Sequence, residues 1–241
     1  MSSLEAHLQR QVDHSRDFFW HRLRWRAVAS HLPRSEPFQL LDIGAGAGLL
    51  GVFLNRDFPA ATYRFVEPIG SLQRQLESIY GVSANASSLT SYEGIEYLAL
   101  LDVLEHQADD RAFLAELVQK MAYGSILIVT VPALNSLWSG WDVALGHHRR
   151  YDRATFRGAI AGLPLQVIEL NYLFPEMIPL GLLRRWLRKT APHRALIHES
   201  AAFPDLPLIV NDGLFALGSA SLAVRRHVPA GSSLLAVLRK A

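Results

Sequence analysis

The chain has no cysteine among its 241 residues. Disulfides, thiolate metal ligands and a cysteine nucleophile are therefore excluded. No apolar run approaches the roughly 20 residues that cross a bilayer. The opening stretch, MSSLEAHLQRQVDHSRDFFWHRLRWR, lacks the apolar core of a secretory signal, and a cytoplasmic location is expected. Excess charge of one sign is also missing: 24 basic side chains face 22 acidic ones, for a net charge of +2. With no Lys/Arg tract interleaved with aromatics, nothing calls for a nucleic-acid partner. Half the residues are hydrophobic and 19% are charged. That composition excludes a disordered chain, and the length suits one domain, 1–241, with a substantial core.

What is present is alternation. A helical pattern runs from about Leu4 to Ala29, so residues 1–33 read as an N-terminal helical cap. FQLLDI, TYRFVEP, EYLALLDV, GSILIVTVPA, LPLQVIELNYL and SSLLAVLRK read as strands. Between them GLLGVFLNRDF, SLQRQLESIY, DDRAFLAELVQKMA and DRATFRGAIAG read as helices, the last two capped by Asp109 and Asp152. Strand–helix alternation predicts a mostly parallel sheet covered by helices on both faces. Residues 173–204 read as a small helical insertion. Within it a helix from about Leu180 to Lys189 would carry Leu182, Leu183, Trp186 and Leu187 on one face. Arg184, Arg185, Arg188 and Lys189 would fall on the other. Such an element could act as a lid, and 180–189 could touch an anionic membrane weakly.

In a sheet of this kind, ligands bind beyond the carboxyl ends of the strands. The stretch LLDIGAGAGLLG supplies two overlapping glycine patterns there, D-x-G-x-G-x-G and G-x-G-x-x-G. Both let the backbone approach a ligand with a helix N-terminus behind it. Both also suit Glu67, an acid placed to accept ribose hydroxyls, so the second pattern alone is a weak signal for a dinucleotide. Asp42 separates them. A carboxylate before the first glycine repels a pyrophosphate, whereas a sulfonium donor without phosphate favours it. The residues thus point to a nucleoside-bearing methyl donor ahead of NAD, with a purely structural turn third.

LLDIGAGAG, FVEP, ALLDVLEH with the following helix and strand, and LWSGWDVALGHHRRYDRATFRGAI together resemble the class I S-adenosylmethionine-dependent methyltransferases. GHHRRY resembles a bacterial subgroup with a G-H-x-R-R-Y segment, whose members often lie near glycan or lipid biosynthesis. The resemblance implies a Rossmann-like seven-stranded sheet, mostly parallel, with the last strand antiparallel. It implies S-adenosyl-L-methionine as cofactor, S-adenosyl-L-homocysteine as product, and a small-molecule or lipid- or glycan-linked acceptor. On the donor side it implies Asp42, Gly44, Ala45, Gly46, Gly48, Glu67, Pro68, Leu101 and Asp102. Arg24, from the aromatic–arginine stretch FFWHRLRWRAV, is implied at the donor's carboxylate. The family often carries an acid after the third strand to meet the adenine amino group. Here Ser87 and Ser88 stand at that place.

His106 and His147 are the candidate catalytic residues, since an imidazole can take a proton from an acceptor hydroxyl. The subgroup pattern specifies His147 and leaves His148 open. His106 or Glu105 reads equally well as facing substrate or, both together, as anchoring the loop and capping the helix that begins near Asp109. Trp138, His148, Arg149, Arg150 and Tyr151 are candidates for the acceptor side, the arginines as clamps for a carboxylate or phosphate. Two adjacent histidines without a nearby carboxylate make a poor metal site, and none is expected. An NAD-dependent oxidoreductase and a non-catalytic donor-binding module are the rival readings.

Overall fold

The computed structural model describes residues 17–189 and 206–241. In chain order the elements are α1 (Phe19–Ala29), β1 (Gln39–Ile43), α2 (Leu49–Asp57), β2 (Thr62–Val66), α3 (Gly70–Tyr80) and β3 (Tyr97–Leu101). They continue with α4 (Asp110–Lys120), β4 (Ile126–Pro132), α5 (Gly140–Leu145), α6 (Arg153–Ala159), β5 (Leu165–Leu173), α7 (Met177–Lys189), α8 (Leu208–Ala223) and β6 (Ser233–Lys240).

One six-stranded sheet has the order β2-β1-β3-β4-β6-β5. β1 pairs in parallel with β2 and β3, and β3 with β4; β6 runs antiparallel between β4 and β5. Side chains alternate between the two faces. Leu41, Leu98, Val129 and Leu238 pack with Leu114 of α4 and Phe156 of α6. Leu40, Ala99, Ile128 and Val237 pack with Leu23 of α1, Phe53 of α2 and Leu222 of α8. Both faces are therefore covered, which is why the central strands are near-continuous apolar runs.

Among the described residues the sheet has six strands, where seven were expected. The segment after α3 makes a single parallel bridge, Phe65 to Asn85. The Asn85 side chain accepts from the Ser87 N–H at 2.9 Å and donates to Glu77 at 2.7 Å. Side-chain bonds of this kind offer the backbone an alternative to a ladder, and the serines around it have little preference for strands.

Two helix starts also differ from expectation. α1 begins at Phe19, because Phe18 is extended; the part of the proposed cap in residues 1–16 lies outside the described residues. α7 begins at Met177, three residues before Leu180, because Pro179 is tolerated in a first turn whose N–H groups lack intrahelical partners. The side chains of Arg184, Arg185, Trp186, Leu187, Arg188 and Lys189, and residues 190–204 of the insertion, lie outside what is described. Asp109 and Asp152 do cap their helices, accepting from Ala112 N at 2.9 Å and Thr155 N at 2.7 Å. No described helix is long and apolar enough to cross a membrane.

Candidate active site

The carboxyl ends of β1, β2, β3 and β4 surround a cavity of about 500 Å³. Of the residues singled out from the sequence, Asp42, Gly44, Ala45, Gly46, Glu67, Pro68, Leu101 and Asp102 line it, with Arg24, His106, His147 and Arg150.

The glycine loop is built for close approach. Gly44 has φ +72°, and a Cβ there would stand 2.6 Å from Val103 Cγ2, so the loop can lie against β3 only without a side chain. Its N–H donates to Val66 O at 2.8 Å, tying the loop to β2. Glu67 is 3% exposed and spans the loop. Its Oε2 accepts from Gly46 N at 2.7 Å and its Oε1 from Ile69 N at 2.8 Å. Burial pushes its pKa up, and the two N–H donors pull it back. Each oxygen keeps a second lone pair for a ligand hydroxyl.

Asp42 is buried and accepts from the Tyr63 hydroxyl at 2.9 Å. Burial raises its pKa to about 7, against the hydrogen bond from Tyr63 and the charge of Arg24. Asp102 follows β3 at φ 57°, a left-handed conformation that Asp adopts more readily than most residues. Its carboxylate accepts from Arg24 Nη1 and, at 3.2 Å, from Thr130 Oγ1. Arg24 is thus carried by α1 across the sheet ends and fixed at the cavity wall.

Opposite this wall stand Glu105, His106 and His147. His147 Nδ1 is 3.0 Å from Asp142 Oδ1. Asp142 in turn accepts from Arg150 Nε at 2.7 Å, Arg150 Nη2 at 3.1 Å and Ser139 N at 2.9 Å. Burial raises the Asp142 carboxyl's pKa, but the bonds from His147 and Arg150 prevail and bring it down to about 2. The rings of His106 and His147 meet edge to face at 4.8 Å. Burial and the neighbouring His147 lower His106 to about 4, so its imidazole is neutral. Glu105 has no exposed surface, and neither carboxylate oxygen has a hydrogen-bond partner from another residue. Burial and the charge of Asp102 push its pKa well above the carboxylate range.

Several candidates fall elsewhere. Gly48 caps α2 at φ +77°, and a Cβ there would meet Leu76 Cδ2 at 2.4 Å, so its smallness serves helix packing. Ser87 and Ser88 are exposed and outside the cavity lining. Trp138 is also outside it, and Trp141 takes its place. His148 is exposed, its backbone N–H donating to Glu105 O at 2.8 Å. Arg149 pairs with Asp110 at 2.8 Å and donates to Ala108 O at 2.6 Å. Tyr151 is buried, its hydroxyl donating to Asp110 Oδ2 at 2.7 Å. These three residues pin the loop after β4 onto α4 and the segment just before it. Alternation explains the split: neighbours in an extended segment point to opposite sides, and of Arg149, Arg150 and Tyr151 it is Arg150 that turns to the cavity.

Where the sequence offered His147 no carboxylate nearby, the fold brings two beside it, Asp142 at 3.0 Å and Glu105 at 3.9 Å. Asp142 carries more than the sequence reading gave it. The available signal was Ser139-x-x-Asp142, a capping-box spacing that α5 uses.

This fold is that of the class I methyltransferases, with the mixed sheet and the antiparallel strand set between β4 and β5. No protein-family model matches the chain, and no curated protein does. Among solved structures, a chain of the complex between the Haloferax volcanii Trm112 methyltransferase activator and its candidate methyltransferase is similar, at 15% identity and TM-score 0.64. That similarity covers all of this chain and 98% of the other. The plantazolicin methyltransferase BpumL, solved with S-adenosylhomocysteine and a monoazolic desmethylPZN analogue, is similar at 13% identity and TM-score 0.57, over 97% of this chain and 88% of its own. A SAM-dependent methyltransferase from Archaeoglobus fulgidus is similar at 13% identity and TM-score 0.55, over 91% and 94%.

Proposed function

We propose that the chain is an S-adenosylmethionine-dependent methyltransferase acting on a small-molecule or lipid- or glycan-linked acceptor. The observation that carries this reading is one cavity with two unlike walls. On one wall Asp42, the Gly44–Gly46 turn, Glu67 and the Asp102–Arg24 pair are grouped. Three acids around a glycine loop suit a sulfonium and an ammonium and disfavour a pyrophosphate. Glu67 takes the ribose hydroxyls, and Arg24 takes the donor's carboxylate. On the other wall His106 and His147 face the acceptor's proton-bearing group. Methyl transfer is an in-line displacement at an activated carbon, so holding the acceptor in line supplies much of the rate.

Met177 and Leu180 of α7 and Leu214 of α8 also line the cavity. Nearby Leu182, Leu183, Leu208 and Ile209 are exposed. An apolar rim of this kind suits an apolar or lipid-linked acceptor, with α7 as a lid and weak contact between 180–189 and an anionic membrane surface.

The test is transfer of labelled methyl from S-adenosylmethionine to the small-molecule or lipid fraction of a metabolite extract. Label should move with the native chain and drop with His147→Ala, while donor affinity holds. No transfer despite donor binding would leave a binding module rather than an enzyme.

A further inference from the structure

The acceptor wall has a second property that methyl transfer does not require. Glu105, His106 and His147 each offer one ligand atom, and these three atoms lie within 4.8 Å of one another. His147 Nε2 and Glu105 Oε1 are 3.9 Å apart. Two ligands at tetrahedral angles on zinc, with bonds of about 2.1 Å, stand about 3.4 Å apart. Small side-chain rotations therefore close the gap.

The surroundings agree. A ligating imidazole normally gives its other ring N–H to a carboxylate or backbone carbonyl, which fixes tautomer and orientation. His147 has Asp142 at its Nδ1, and Asp142 is itself gripped by Arg150 and Ser139. His106 packs edge to face against the His147 ring at 4.8 Å. The third donor is the one most in need of an occupant. Glu105 is completely buried, yet no other residue hydrogen-bonds its carboxylate. A buried polar group left this way carries a desolvation cost that only a partner repays. All three residues line the cavity, so a further coordination position faces its interior.

We propose that Glu105, His106 and His147 bind a divalent transition-metal ion, zinc by ligand type, with one coordination position open to the acceptor. Two imidazoles and a carboxylate with an open position form a donor set that zinc uses in catalytic sites. Ion binding stands on the geometry alone; what the open position holds rests on the methyl-transfer reading. There the ion takes an acceptor hydroxyl and lowers its pKa. The hydroxyl proton leaves to water. The oxygen lone pair then forms the C–O bond to the donor methyl as the C–S bond breaks, its electron pair returning to sulfur. The favoured acceptor is accordingly a hydroxyl.

The test uses the purified full chain, stripped with a chelator and titrated with zinc ion alone. S-adenosylhomocysteine binding is measured in parallel. The expected result is one zinc per chain, with a melting temperature that rises on zinc addition. Glu105→Gln and His147→Ala should bind zinc at least 100-fold more weakly and lose the rise. His227→Ala, in an exposed turn, should keep both. Glu105→Gln guards against misfolding, because it changes no hydrogen bond to another residue and should melt as the zinc-free native chain does. Failure of the stripped chain to take up zinc, or native-like uptake by both site variants, would overturn the metal site. Uptake of S-adenosylhomocysteine without zinc would overturn this inference and leave the methyl-transfer reading standing. Zinc uptake without S-adenosylhomocysteine would do the reverse.

Discussion

Two buried clusters in this chain pair an acid with histidine and arginine, and they spend their polar atoms differently. In the first, Glu169 of β5 meets Arg225 after α8 and His31 after α1. Arg225 Nε donates to Oε1 at 2.5 Å and Nη2 to Oε2 at 3.2 Å, Asn171 adds a bond at 3.0 Å, and His31 lies 3.4 Å away. Burial pushes Glu169 up, but Arg225 and Asn171 outweigh it and hold the carboxyl below its usual range. Every atom of that carboxylate is used inside the protein. In the second cluster Asp142 is satisfied in the same way, yet Glu105 beside it is not. The first cluster joins the end of α1 to the sheet edge and lies outside the cavity described above. The second lines one. The contrast teaches that a buried charge cluster is informative about function when some of its hydrogen-bonding capacity is left over and aimed at open space.

The largest expected effect is on the satisfied cluster. Arg225→Ala strands Glu169 without its main partner, and stability should fall by about 3 kcal/mol, as for other broken buried pairs. Thermal melting measures it, and donor affinity should be unchanged. Next comes Glu67→Ala, which should weaken S-adenosylhomocysteine binding by about 2–3 kcal/mol through loss of charge-assisted hydrogen bonds. An unchanged titration would remove Glu67 from the ribose.

Asp42 gives a pH-dependent effect with a definite sign. Burial raises its folded pKa from the usual 3.8 to about 7, so between those values the folded chain binds more protons than the unfolded one. The contribution is then fully present below the unfolded pKa and is lost as pH rises through the folded pKa. The slope for this group is about 1.4 kcal/mol per pH unit at most. Asp42→Asn keeps an acceptor for Tyr63 and removes the titration. Relative to the native chain, the variant should gain melting temperature from pH 4 to pH 8. Parallel melting curves would contradict the assignment. Tyr151→Phe should cost about 1 kcal/mol for the bond to Asp110 and leave methyl transfer intact, which tests its removal from the acceptor side. The smallest effect sharpens the comparison most: Glu105→Gln should leave zinc-free stability unchanged, whereas Glu169→Gln should lower it.

The sheet, its helices and the donor loop were legible in the sequence because local patterns produce them. Asp109 and Asp152 announce their helices one residue early, and LLDIGAGAG names a loop whose backbone leaves no room for side chains. What depended on competition or on distance was not legible. Asn85 turns its side chain onto the backbone and ends a strand after one bridge. Arg149, Arg150 and Tyr151 are consecutive, so composition could not say which one faces the cavity. Glu105 and His147 meet only because the loop after β4 folds back along that strand, where Tyr151 N donates to Pro132 O at 2.9 Å. A separation of that kind leaves no trace in local spacing.

The central claim is that the wall formed by Asp42, the glycine loop and Glu67 holds a methyl donor rather than a dinucleotide. Calorimetry of the full chain with S-adenosylhomocysteine and, separately, with NAD tests it directly. The account predicts micromolar binding of the first, weakened in Glu67→Ala, and no heat from the second. Binding of NAD with none of S-adenosylhomocysteine would contradict it.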